Sequence, residues 1–77
     1  MKFDYGDEVI AKVKDAGGEV IEKTCYVVSI TAIETEQQAL HFKRPRGDVV
    51  YAVEFLDGTD ALVSEPDLRL AAGQDGH

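Results

Sequence analysis

Tyr51–Gly58, YAVEFLDG, followed by TDALVSEPDLRL, is the stretch that decides the fold. Tyr51, Val53 and Phe55 alternate with smaller or charged residues, so one face of a strand is apolar. Asp57-Gly58 is placed to supply the positive φ angles of a tight turn, and Asp60 to Val63 returns as the next strand. A hairpin over Val49–Leu56 and Asp60–Val63 is expected.

Working outward, Ser64 is placed to cap a short 3-10 turn, with Pro66 early in it and Asp67 near its positive end. Leu68 and Leu70 then bring apolar side chains back to the core. Upstream, Val9, Ala11 and Val13 alternate with Glu8, Lys12 and Lys14, which predicts a half-buried first strand over Glu8–Lys14. Asp15-Ala16-Gly17-Gly18 is a turn. Thr24 to Ile33 is dense in β-branched and aromatic residues, so it reads as a strand buried on both faces or bent across two sheets.

The middle carries two signals. Glu34 to Leu40 has helix formers enough for one turn, whereas Ala39 to Lys43 (ALHFK) alternates as a strand does; a loop leading into a third strand is the preferred reading. Arg44 to Asp48 (RPRGD) is a turn. The expected architecture is all-β: a small five-stranded SH3-like barrel with a short 3-10 turn before the last strand. Residues 1–70 form this single domain, and 71–77 (AAGQDGH) are a flexible tail.

The 77 residues suffice for one small domain and a compact core. The hydrophobic content of 44% with two prolines is that of an ordered globular chain. A single cysteine, Cys25, forms no intrachain disulfide, and no signal peptide or long apolar run is visible, which suggests a cytoplasmic protein. Fifteen acidic against eight basic residues give a formal charge of −7, which disfavours nucleic acid and favours a basic protein partner. Edge strands of a small open barrel can pair between copies, so a monomer or weak homodimer is expected.

The segments YGDEVIAKV, CYVVSI, YAVEFLDG and LVSEPDLRL resemble the Tudor and related SH3-like modules. Length and ending are most similar to the small bacterial immunity proteins of polymorphic toxin systems, the immunity protein 31 family, through Tyr51-Ala52-Val53 and the Glu65 to Leu68 close. Cys25-Tyr26 and Ala61-Leu62 stand where that family carries a glycine and a tryptophan. The resemblance implies a non-catalytic domain that binds and neutralises a toxin.

Asp57, Asp60, Glu65 and Asp67 are the candidate contacts to a basic partner, with Tyr26, Phe42 and Arg44 as anchors. Asp4, Asp7 and Glu8 would share an acidic surface with them if the first and last strands pair. Two further roles are compatible with the fold: an accessory or assembly subunit of a larger enzyme, and a Tudor-like reader of methylated peptides or nucleic acid. A reader would need an aromatic cage, for which only Tyr26 and Phe42 are available outside the core. His41 to Arg46 (HFKRPR) has stacking and phosphate-pairing chemistry but reads first as a solvated loop, and Arg46-Gly47-Asp48 as a turn. Neither the spacing of a metal site nor that of a catalytic constellation is present, and no cofactor is implied.

Overall fold

In the computed structural model, residues 2–71 are described. The chain runs β1 (Glu8–Lys14), β2 (Val20–Ala32), α1 (Glu36–Phe42), β3 (Val49–Phe55), β4 (Asp60–Ser64), a 3-10 turn (Glu65–Asp67) and β5 (Leu68–Leu70). The strands form one antiparallel sheet in the order β4-β3-β2-β1-β5. β4 and β5 are its two edges, so the hydrogen-bonded ladder is not closed.

The alternation read from the sequence sets the core. Val9 and Ala11 of β1, Cys25 and Val27 of β2, Tyr51, Val53 and Phe55 of β3, Val63 of β4 and Leu68 of β5 are buried together with Phe3. Phe3 from the entry segment meets Tyr51 edge to face, with ring centroids 5.4 Å apart. Tyr51 is 0% exposed. Fully burying side chains of this kind contributes about 1.5–3 kcal/mol each.

β2 begins at Val20, four residues before the expected start, because Val20 to Lys23 continue the ladder to β1. It is not buried on both faces: Tyr26 and Val28 point outward. The alternative of a bend is met by a bulge, where the register with β3 shifts between Val27 and Ser29. Val28 and Ser29 together oppose Ala52, which bends and twists the long strand.

The expected third strand at ALHFK is instead the last part of α1. Thr35 is the reason: its hydroxyl accepts from the Gln38 N–H at 3.1 Å while Gln38 Oε1 accepts from the Thr35 N–H at 3.0 Å. This reciprocal cap satisfies donors that a strand would have left to a sheet neighbour. Lys43 ends the helix in the left-handed region at φ 56°.

The hairpin turn differs from expectation in one torsion. Gly58 has φ +88°, while Asp57 does not take a positive φ. The Gly58 N–H donates to the Phe55 carbonyl and the Phe55 N–H to that of Thr59, so the loop is one residue longer than a two-residue turn. Ser64 precedes the 3-10 turn but makes no side-chain cap; its Oγ accepts from Arg44 Nε at 2.6 Å. Ala71, expected in the tail, is buried, and its N–H donates to the Glu8 carbonyl. Residues 72–77 of the expected tail lie outside the described residues.

Candidate functional site

Tyr26, Val28 and Leu62 are exposed together on the outer face of β2, β3 and β4, whereas Tyr5, Val20, Leu40 and Leu56 are exposed elsewhere. Cross-strand register places Asp60 (β4), Glu54 (β3), Tyr26 (β2) and Glu8 (β1) in one row across the sheet. With neighbouring strands about 4.8 Å apart, the row spans roughly 14 Å. The next row sets Leu62 of β4 beside Ala52 of β3 and the bulged Val28-Ser29 of β2. Tyr26, Val28 and Leu62 are 41, 50 and 52% exposed. Apolar side chains are thus interleaved with carboxylates on one surface. Among the described residues, Glu54, Asp60 and Tyr26 make no side-chain hydrogen bond or ion pair.

The segment that supplies β3 and β4 is one-signed in charge. From Gly47 to Leu68 the chain carries no Lys or Arg, while Asp48, Glu54, Asp57, Asp60, Glu65 and Asp67 all fall within it. Arg44 and Lys23 reach over from neighbouring segments, at Ser64 and Asp57 respectively. Arg44, of the basic loop Lys43–Arg46, thus meets the end of β4.

The four expected acidic contacts do not form one patch. Asp57 precedes β4 and Asp60 opens it, whereas Glu65 and Asp67 follow its end, with the four residues Ala61–Ser64 between Asp60 and Glu65. Asp57 Oδ1 accepts from the N–H and hydroxyl of Thr59, and Lys23 Nζ is 3.6 Å from its other oxygen. The Thr59 bonds, with Lys23 assisting, hold the Asp57 carboxyl below its ordinary pKa.

Glu65 is engaged by the fold. Its Oε2 accepts from the Tyr51 hydroxyl at 2.5 Å and from the Lys2 N–H at 3.0 Å. The Tyr51 bond first, then that of Lys2, lowers the Glu65 pKa, while burial, reinforced by the carboxylate, raises that of Tyr51. The Lys2 N–H also donates to the Tyr51 oxygen at 3.2 Å, so Glu65 secures the entry segment that carries Phe3. Asp67 lines a shallow groove with Ile10, Lys12, Glu22 and Arg69 at the β1–β5 side. Asp4 and Asp7 belong to the entry segment: an Asp7 carboxylate oxygen accepts from the Asp4 N–H.

Tyr26 and Phe42 are not paired. Phe42, at the end of α1, is half-buried and packs edge to face on His41 at 4.9 Å. Phe55 has a cation on its face already, Lys23 Nζ at 4.5 Å from the ring centroid. Cys25 is fully buried, and that burial raises its thiol pKa. Among the described residues, no three His, Cys, Asp or Glu side chains converge as a metal site, and no helix is long and apolar enough to cross a membrane.

Sequence reading singled out Tyr26 and Asp60 but passed over Glu54, Val28 and Leu62. The period-2 signal was there for Glu54, which stands between the core residues Val53 and Phe55 and must face outward. Val28 could not be assigned, because Cys25 to Val28 are all apolar or aromatic and show no polar alternation to tell one face from the other. No known family model matches the chain, and no curated protein or solved structure matches it either.

Proposed function

We propose that the protein is a non-catalytic protein-interaction domain that binds a basic partner through the outer face of β2, β3 and β4. The observation that carries this reading is the row Asp60–Glu54–Tyr26–Glu8, with Leu62 and Val28 beside it. An exposed aromatic among apolar side chains supplies contact area, and surrounding carboxylates select a basic partner and speed encounter. The strand order, the bulge in β2 and the 3-10 turn ahead of β5 support a curled, SH3-like arrangement of the sheet.

In its specific form, the reading is an immunity protein that neutralises a bacterial toxin domain in the cytoplasm by covering a basic cleft. Such clefts suit toxins that act on nucleic acid, and a −7 domain is complementary to them. Co-expression with any growth-arresting domain that a neighbouring gene encodes tests it. Protection by the wild type, lost in the Glu54→Lys/Asp60→Lys variant, is the expected result. Equal growth arrest with and without the wild-type protein would refute the immunity role.

A further inference from the structure

We propose that the basic partner adds an extended strand to the free edge of β4, its cationic side chains falling beside Asp60 and Glu54. This rests on the reading of a basic partner and specifies how it docks. In the β3–β4 ladder the Phe55 N–H donates to the Thr59 carbonyl, so the bonded pairs continue as Val53–Ala61 and Tyr51–Val63. The N–H and C=O groups of Asp60, Leu62 and Ser64 therefore point away from β3, at the edge of the sheet. An unpaired row of this kind is a template for another strand.

The two edges are unequal. β5 has three residues, follows Pro66, and carries Arg69 ion-paired to Glu22 at 2.7 Å. β4 has five residues, DALVS, with none of the Lys, Pro or bulge devices that usually blunt an edge. Its central side chain, Leu62, is half exposed. At the far end, the Arg44–Ser64 bond marks where the chain's own side chains reach the edge.

Charge selects the occupant. A strand laid along β4 places outward side chains next to Asp60 and Leu62 and within reach of Glu54, a site with no Lys or Arg of its own from Gly47 to Leu68. Because side chains alternate faces along a strand, an alternating cationic–aliphatic segment sets its cations on the outer face, where the charges meet Asp60 and Glu54 and the stems cover Leu62, and turns its aliphatic residues to the inner face. A second copy of this chain would bring another −7 body to the same edge, which opposes the pairing.

The test is an amide-resolved NMR titration of the whole protein with an end-blocked peptide of alternating Lys and Val, against its Glu–Val counterpart. The expected result is saturable binding of the Lys–Val peptide that slows exchange of the Leu62 amide, weakens as salt is raised, and is not seen with the Glu–Val peptide. Leu62→Pro, whose lost N–H lies outside the β3–β4 ladder, should weaken binding at least tenfold; Leu62→Lys should do the same if the proline variant does not fold. Binding that instead shifts Tyr26 and Glu8 and ignores both variants would overturn the edge and leave the basic partner standing. No saturable binding of either peptide would overturn both. A concentration-dependent dimer of the free protein, abolished by Leu62→Lys, would assign the edge to a second copy and overturn the proposal.

Discussion

Tyr51 and Tyr26 lie on adjacent strands of the same sheet, and the difference between them separates a side chain the fold uses from one it leaves exposed. Tyr51 on β3 faces inward, is 0% exposed, packs on Phe3 and donates to Glu65. Tyr26 on β2 faces outward, is 41% exposed, and stands between Glu54 and Glu8 with no hydrogen-bond partner for its hydroxyl among the described residues. The carboxylates divide in the same way. Glu65 is tied to Tyr51 and the entry segment, whereas the Glu54 and Asp60 carboxylates make no hydrogen bond or ion pair among the described residues. Residue type alone therefore does not say which tyrosines and carboxylates the fold uses; the face of the sheet does.

The contrast can be broken most forcefully from the inside. Tyr51→Ala removes a fully buried ring and leaves a cavity, so a loss of about 3–5 kcal/mol is expected in urea unfolding. For a small domain that approaches the whole folding stability. On the outside, Tyr26→Ala should change stability by less than about 1 kcal/mol, because a half-exposed cross-strand neighbour contributes little more. Calorimetry with the partner should show it weakening affinity by about 2 kcal/mol, as the central aromatic of an interface does. If Tyr26→Ala unfolds the protein instead, the two faces are not distinct.

Smaller changes sharpen the division. Tyr51→Phe keeps the ring but removes the donor to Glu65, leaving a lowered but foldable protein, by about 1–2 kcal/mol in the same unfolding assay. The pH dependence follows from the same pair. Glu65 is lowered by folding, so its contribution is present above the unfolded carboxylate value of about 4.3 and lost as pH falls through the folded one. Tyr51 is raised, so its contribution is present below the unfolded phenol value of about 10 and lost as pH rises through the folded one. Glu65→Gln should flatten the acid limb of the stability profile while leaving partner binding unchanged. Least of all, Thr35→Ala should cost about 1 kcal/mol through the lost cap of α1, with the outer face unaffected.

Much of the inner face was legible in the sequence, because a period of two through EVIAKVK and YAVEF is imposed by the pleat itself. Val9, Ala11, Tyr51, Val53 and Phe55 are buried as their spacing requires. The middle was not, since Ala39 to Lys43 satisfies a strand pattern by chance; the deciding residues, Thr35 and Gln38, lie upstream in the cap. The outer face was only half legible. Asp57, Asp60, Glu65 and Asp67 are close in sequence; the strand from Asp60 already separates the first pair from the second, whereas the Tyr51 contact that engages Glu65 exists only in three dimensions. Glu54 could have been found by reading YAVEF for its outward residue as well as its inward ones.

The outer face is tested most directly by parallel affinity capture from the native cell extract on immobilised wild-type protein and on the folded Glu54→Lys/Asp60→Lys variant. The expected result is a basic protein held by the wild type, released by salt and missing from the variant. The same basic protein held equally by both would contradict an acidic outer face as the binding surface.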